Sequence, residues 1–172
     1  NVVSAGVTMA GSAQYNAAGQ LLSYVAPGGS LSFSYNSRGQ MTADPYKAYN
    51  YSATANDGRL VSQRDVASGE VVSYLYDELG RLTAAATAGP AWGLGWTFDG
   101  FGNRLSQTVT KGTGPAVNLT VDAATNRIAM TGFLYDANGN QVQWMVGQET
   151  RSATFDIENR VTQVATASTT EV

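Results

Sequence analysis

The chain has 172 residues, of which 43% are hydrophobic and 13% are charged, and its formal net charge is −3. It contains no Cys and no His, which excludes disulfides, thiolate nucleophiles, serine–histidine hydrolysis and ordinary zinc sites. Lys and Arg together number only 10, too few for the positive field that nucleic acid requires, and no apolar stretch reaches the roughly 20 residues that span a bilayer. We therefore expect a globular protein with no nucleic-acid partner, no membrane span and no cofactor.

One motif recurs along the chain in the order aromatic residue, Asn or Asp, two variable residues, Gly. Its five complete copies hold the fixed residues Tyr15, Asn16 and Gly19; Tyr35, Asn36 and Gly39; Tyr76, Asp77 and Gly80; Phe98, Asp99 and Gly102; and Tyr135, Asp136 and Gly139. Three degenerate copies begin at Thr54, Val121 and Phe155, and the last two keep Asp122 and Asp156. Self-similarity at spacings of about 20 residues indicates a repeat architecture of about eight units.

Alternating apolar and polar residues surround these copies, in chain order at residues 31–35, 72–76, 82–86, 117–121 and 142–146. Alternation of this kind is typical of half-buried β-strands. Turns that contain Gly or Pro fall midway between copies, at residues 26–30, 67–70, 89–90 and 111–115. Two strands per repeat, joined alternately at the motif and at a midway turn, predict an all-β chain of antiparallel β-hairpins without helices.

The motif has the composition of a sharp corner between two strands. Asn or Asp at its second place accepts hydrogen bonds from backbone N–H groups further on, and Gly at the fifth place adopts the positive φ that other residues avoid. Where Gly is missing, Asn126 and Asn159 are the next most tolerant residues. Arginines just before the next strand are expected to bridge to the Asp or to a neighbouring repeat. These arginines are Arg59, Arg81, Arg104, Arg127 and Arg160.

An enzymatic alternative rests on carboxylates alone. Two carboxylates are sufficient for glycoside hydrolysis, and the candidates outside the aspartate corner are Asp65, Glu70, Glu78, Glu149 and Glu158. We interpret them as solvated residues of turns and strand edges, so no catalytic residue is predicted.

Adhesion is the second alternative, because exposed aromatic rings can stack on a sugar or a protein. Trp92 lies in the Gly-Pro turn at residues 89–93 and is the candidate for ligand stacking. Trp96 and Trp144 lie in alternating stretches and are interpreted as core. Tyrosines 46, 49 and 51 form a second aromatic cluster in the least regular repeat.

Residues 76–82, Tyr-Asp-Glu-Leu-Gly-Arg-Leu, resemble the YD repeat of the RHS family at every fixed place. Residues 98–105 are similar to its longer Gly-Asn-Arg-Leu variant, and residues 135–140 and 155–161 to its closing pair. The resemblance extends from about residue 13 to residue 165. It implies a β-hairpin strip that spirals into a solenoid-like or shell-like wall. Such a wall encloses a toxin in bacterial RHS proteins and insecticidal toxin complexes, and it forms the barrel of the teneurin receptors.

The resemblance brings no catalytic residue to this chain. The family's toxin shells close with a segment rich in Asp-Pro-x-Gly that carries a self-cleavage site, whereas the only Asp-Pro here, Asp44-Pro45, lies in mid-chain without a following Gly. We therefore expect residues 1–172 to form a single repeat array, either a segment of a longer shell or a subunit that stacks end to end through its strand edges. Its partners would be further copies or flanking repeats, with a glycan as the alternative, and the resemblance implies a secreted or cell-surface location.

Overall fold

The computed structural model describes residues 2–4 and 7–167, and the side chains from residue 11 onward. Every regular element among these residues is a β-strand, so the prediction of an all-β chain is confirmed. The strands are β1 (Val2–Ser4), β2 (Val7–Tyr15), β3 (Leu21–Ala26), β4 (Gly29–Ser32), β5 (Ser34–Tyr35), β6 (Met41–Ala43), β7 (Lys47–Tyr51), β8 (Leu60–Asp65), β9 (Val71–Tyr76), β10 (Leu82–Thr87), β11 (Trp92–Phe98), β12 (Arg104–Gly112), β13 (Val117–Asn118), β14 (Val121–Asp122), β15 (Arg127–Ile128), β16 (Leu134–Tyr135), β17 (Gln141–Val146), β18 (Glu149–Phe155) and β19 (Val161–Ala167).

Strands that follow one another in the sequence lie side by side in the sheets. Strands β1 to β4 form one sheet, β5 to β13 a nine-stranded sheet, β14 and β15 a two-stranded sheet, and β16 to β19 a four-stranded sheet, each in sequence order. The registers within these sheets are antiparallel, as short hairpin connections require. The prediction of a run of antiparallel hairpins is therefore confirmed.

Each hairpin register is set at its corner. The aromatic residue before the corner pairs with the first residue of the next strand, as Tyr76 does with Leu82. The same pairing joins Tyr15 to Leu21, Tyr35 to Met41, Tyr51 to Leu60, Tyr135 to Gln141 and Phe155 to Val161. A register shift follows at once, because the second residue of the outgoing strand, Thr83 in this example, is extra. Such a β-bulge bends the strand and increases its twist, and it interrupts the strict alternation that the sequence predicts.

One repeat begins at a different residue from the one expected. The sequence places the third copy of the motif, which is degenerate, at Thr54, whereas the structure pairs Tyr51 with Leu60 in the aromatic place. Residues 52–59 therefore form a longer turn than the regular corner of residues 77–81. The insertion separates the aromatic residue from the Asp57-Gly58-Arg59 segment, which is why the spacing of the motif fails there.

The chain divides into two compact units. One consists of Asn1–Trp96 and Gln107–Ala116, and the other of Thr97–Ser106 and Val117–Val172. The first unit contains the corners at Asn16, Asn36 and Asp77, and the second contains those at Asp99, Asp136 and Asp156.

The core is thin. The buried hydrophobic residues among those described are Val72, Ala85 and Ala153, and the buried polar residues are Thr87 and Gln107. No large side chain in the described part of the chain is fully buried, so backbone ladders and repeated local contacts carry more of the stability than in a globular domain. The described residues include no helix long and apolar enough to cross a membrane.

Candidate functional site

The corner at Asp77 shows the geometry that recurs along the chain. The Asp77 backbone N–H donates to the Arg81 carbonyl oxygen at 3.0 Å, and the Gly80 N–H donates to the Asp77 carbonyl oxygen at 2.9 Å. Asp77 Oδ1 accepts from the backbone N–H of Leu79 at 3.0 Å and from that of Arg81 at 2.8 Å. The same bonds occur at Asn16, Asn36, Asp99, Asp136 and Asp156. One side-chain oxygen thus closes the turn, which requires Asn or Asp at the second place.

The fifth place of the corner is in the left-handed region. Its φ is 76° at Gly19 and Gly39, 79° at Gly80, 90° at Gly102 and 93° at Gly139, and Asn159 has 60° in the same place. Asn126 has 56° in the degenerate corner after Asp122. A Cβ is costly in this conformation for all residues but Asn and Asp, so the choice of Gly or Asn follows from the backbone.

The side chains at the second and sixth places form a matched pair. Where the second residue is Asn, the sixth is Gln, and Asn16 Nδ2 donates to Gln20 Oε1 at 2.7 Å. Where the second residue is Asp, the sixth is a donor, and Arg81 Nε donates to Asp77 Oδ2 at 2.6 Å. The pairs Asn36–Gln40, Asp99–Asn103, Asp136–Asn140 and Asp156–Arg160 obey the same rule. Because an ionised carboxylate only accepts hydrogen bonds, its partner has to donate.

The sixth-place side chain also reaches the next corner along the strip. Gln20 Nε2 donates to the Gly39 carbonyl oxygen at 2.8 Å, and the Gln40 and Asn56 side chains exchange amide hydrogen bonds. In the second unit Asn103 Nδ2 donates to Asn126 Oδ1 at 2.6 Å, and Asn140 Nδ2 to Asn159 Oδ1 at 2.8 Å. We call these contacts the corner ladder. The ladder ties each corner of a unit to its neighbour.

Two arginines extend the corner ladder by stacking. The guanidinium of Arg59 lies 5.2 Å from the ring centroid of Tyr76, and that of Arg127 lies 5.3 Å from the ring centroid of Tyr135, within cation–π range. A Cβ at Gly80 would lie 2.5 Å from Arg59 Nη1. The Gly of one corner therefore leaves the space that the Arg of the preceding corner occupies.

Hydrogen bonding keeps the corner carboxylates ionised. The backbone N–H of Arg81 lowers the pKa of Asp77, and the side-chain amide of Asn103 lowers the pKa of Asp99. The pKa values of Asp122, Asp136 and Asp156 are lowered by the same kinds of bond. The side chain of Arg59 lowers the pKa of Asp57 to about 2. These groups are therefore hydrogen-bond acceptors at neutral pH and have no proton to donate.

The structure places the predicted arginines in three different roles. Arg81 and Arg160 bridge to their own Asp, at 2.6 Å and 2.8 Å. Arg127 pairs across the strands with Asp122 and lies over the next aromatic ring. Arg104 follows the corner as the first residue of β12, because Asn103 occupies the sixth place beside Asp99.

Sequence reasoning missed the sixth place wherever it is not Arg. Gln20, Gln40, Asn103 and Asn140 carry most of the corner ladder, and none of them was singled out from the sequence. The sequence signal that could have identified the sixth place is the residue directly after Gly, whose type changes together with the residue at the second place.

The aromatic first-place residues are half-buried apart from Tyr15, which is 60% exposed.

Trp92 lies at the start of β11 rather than in a turn. Its backbone N–H donates to Thr87 Oγ1 at 3.2 Å, and its carbonyl oxygen accepts from the same hydroxyl at 3.0 Å. Thr87 thereby closes the turn before Trp92, and β11 begins at Trp92, within the segment that the Gly-Pro pattern assigns to the turn. The indole is half-buried, and ligand stacking on it stays a prediction.

The carboxylates considered for hydrolysis have separate local partners. Asp65 accepts from the N–H and the hydroxyl of Ser68, at 2.8 Å and 2.9 Å. Glu149 pairs with Arg151 at 3.5 Å, and Glu158 with Arg160 at 2.9 Å. Glu70 and Glu78 are exposed. In the part of the chain that the structure describes, no group of three or more acidic residues could hold a metal ion.

The hairpin run and the corner ladder define the class of this chain as an all-β repeat protein. Residues 15–45 and 56–91 match the family model described as RHS Repeat, which confirms the resemblance that residues 76–82 carry. No curated protein matches the chain.

Solved structures show the same fold. The crystal structure of TcdB2-TccC3-TEV matches with a TM-score of 0.59 and 19% identity, covering 91% of this chain and 9% of that chain. The Photorhabdus luminescens Tc holotoxin pore matches with a TM-score of 0.58 and 17% identity over the same shares. TcdB2-TccC3 without its hypervariable C-terminal region matches with a TM-score of 0.58 and 19% identity. The chain thus spans about a tenth of the length of these proteins.

Proposed function

We propose that the chain is a non-enzymatic structural repeat protein that forms part of a shell wall or of a head-to-tail extracellular fibre. The corner ladder is the observation that carries this proposal. Contacts such as Gln20 to Gly39 and Asn140 to Asn159 join one repeat to the next. These side chains hydrogen-bond to the neighbouring repeat, which favours a structural role in a continuous wall over chemistry on a substrate.

The distribution of charge supports a structural role. Most Asp side chains are committed to closing turns, where backbone N–H groups and donors such as Arg81 and Asn103 hold them ionised. The general acid of a glycosidase needs a raised pKa, whereas the pKa values of the corner aspartates are lowered.

The likeness to the TcdB2-TccC3 structures supports a place in a larger assembly. This chain matches a stretch that is 9% of the TcdB2-TccC3-TEV chain, so the proposed wall would be completed by flanking repeats or by further copies of this chain. A secreted or cell-surface location belongs to the same proposal.

Electron microscopy combined with light scattering over a range of concentrations tests the two forms of the proposal. Filaments with a regular axial repeat would support the fibre. A stable monomer at high concentration would rule out the fibre and leave the shell segment. A glycoside panel tests the non-enzymatic part, because turnover that is lost in Glu158→Gln or Asp65→Asn would overturn it.

A further inference from the structure

The irregular repeat opens a cleft that the regular corners do not form. The longer turn at residues 52–59 and the hairpin corner at residues 36–38 border an open cleft of about 530 Å³. This volume lies within the ~300–1,000 Å³ range of small-molecule sites. Tyr49 and Tyr51 line it from β7. All of its lining residues belong to the first unit.

Hydrogen bonds hold the walls of this cleft in place. Arg38 Nη1 donates to the Asn56 carbonyl oxygen, which joins the corner to the inserted turn. The Tyr51 hydroxyl donates to the Met41 carbonyl oxygen at 3.0 Å, and the Ala55 N–H donates to Ser52 Oγ at 3.0 Å. A binding surface that is ordered before the ligand arrives loses less entropy on binding.

The cleft keeps several polar groups uncommitted. Within the described residues, the hydroxyls of Ser37, Thr42 and Thr54 line it without a hydrogen-bond partner in the chain. Arg38 is exposed, and among the described residues only its Nη1 donates a hydrogen bond to a protein acceptor. No Asp or Glu lines this cleft. The charge on Arg38 is therefore the only formal charge in the lining.

From this arrangement we infer that the cleft binds a sugar that carries a carboxylate. The tyrosine rings offer apolar faces to the C–H groups of a pyranose ring, and the threonine and serine hydroxyls match sugar hydroxyls in both donating and accepting. The free guanidinium donors of Arg38 suit a carboxylate, with which Arg makes charge-assisted bonds. A phosphate-rich ligand fits less well, since a single cation lines the site.

Titration of the isotope-labelled chain, followed by backbone amide NMR shifts, tests the inference. The probes are sialyllactose, a disaccharide ending in glucuronic acid, and lactose as the uncharged reference. We expect saturable shifts at residues 36–38 and 50–56 with either acidic sugar, and the arm that shifts identifies the acid. No shift at about 10 mM of both acidic sugars, or equal shifts with lactose, would overturn the inference.

Two variants separate the site from general effects of charge. Arg38→Gln should weaken binding of the acidic sugar by about tenfold or more, while Arg64→Gln, which removes the same charge from an exposed position of β8, should leave it unchanged. Thr54→Val removes one uncommitted hydroxyl without touching the bonds that hold the cleft, and should weaken both acidic sugars severalfold. Equal losses in the two arginine variants would show that only net charge matters and would overturn the proposed site.

Discussion

Asn or Asp at the second place of a corner decides which residue can stand at the sixth. At the Asn16 and Asn36 corners the outward amide nitrogen donates, so the sixth residue is Gln with its oxygen turned toward it. At the Asp77 corner both carboxylate oxygens accept, so the sixth residue donates. The two places act as one unit, although three residues lie between them in the sequence.

Exchanging this pair at Asp77 should follow a double-mutant cycle. Asp77→Asn alone sets Asn Nδ2 against Arg81 Nε, and turning the amide around would sacrifice the bonds from Leu79 and Arg81 that Oδ1 accepts. We expect the urea midpoint to fall in this variant, to fall less in Arg81→Gln, and to recover most of the loss in the double variant, which recreates the Asn–Gln pair. Additive losses would contradict the pairing rule.

Glycine variants should separate backbone strain from steric contact. Gly19→Ala places a Cβ in the left-handed region with open space around it, whereas Gly80→Ala adds a contact of 2.5 Å with Arg59 Nη1. We expect Gly19→Ala to cost about 1 kcal/mol in the free energy of unfolding and Gly80→Ala to cost more. Gly89→Ala is the control, because Gly89 has neither a left-handed φ nor a neighbour within 4 Å. Equal values for all three variants, measured by urea unfolding, would contradict this explanation.

At the scale of strands, the same irregularity recurs in the outgoing strands of the corners at Asn16, Asn36, Asp77, Asp136 and Asp156. The extra residue is Thr83 after the Asp77 corner, Thr42 after Asn36 and Thr162 after Asp156. A recurrent bulge adds twist at the same point of each hairpin. At each of these corners the extra residue lies on the outgoing strand, so the two strands that meet at a corner are not interchangeable.

The last described strand is the most exposed element of the second unit. Every residue of β19 is exposed, whereas β18 lies between β17 and β19 and contains Ala153, which is 7% exposed. We expect the amides of β18 to exchange with deuterium at least about tenfold more slowly than the outward amides of β19. Hydrogen exchange read by NMR measures this directly. Full protection along both edges of β19 would instead indicate that another strand or another copy covers it.

The hairpins could be predicted from the sequence because their corners are local. The Asx bonds of Asp77 and the positive φ of Gly80 involve residues within four positions, so the spacing of the motif carries the information. The corner ladder joins residues about 20 apart, such as Gln20 and Gly39, and no alternation pattern marks it. The cleft beside Tyr51 also escaped prediction, because a turn insertion removes the spacing on which the repeat is recognised.

At the scale of the whole molecule, stability is spread over many small contacts. The buried hydrophobic residues among those described are only Val72, Ala85 and Ala153, and no metal or disulfide compensates in the described part. The corners recur in both units, so a condition that weakens one corner weakens all those that carry the same group. Acid is such a condition, because most regular corners depend on an ionised Asp.

The chain should therefore lose stability in acid over a defined range. The pKa values of Asp77, Asp99, Asp136 and Asp156 are lowered in the folded state by hydrogen bonds, below the value of about 3.9 expected in the unfolded chain. A lowered folded pKa means that the unfolded chain binds protons first. The contribution of each of these carboxylates to the free energy of unfolding is complete above about pH 5. It disappears as the pH falls through the pKa of that carboxylate in the folded state. For Asp57, whose pKa is lowered to about 2, the loss continues to the lowest pH.

Urea midpoints measured at about pH 7, 5 and 3 check this dependence. We expect the first two to agree and the third to be clearly lower, with no change in the steepness of the transition. The double variant Asp77→Asn with Arg81→Gln keeps the corner paired through neutral amides, so it should lose less stability in acid than the unaltered chain. An equal loss in both proteins would mean that protonation of this corner carboxylate does not drive the effect, and a midpoint that rises at low pH would contradict the sign of the linkage.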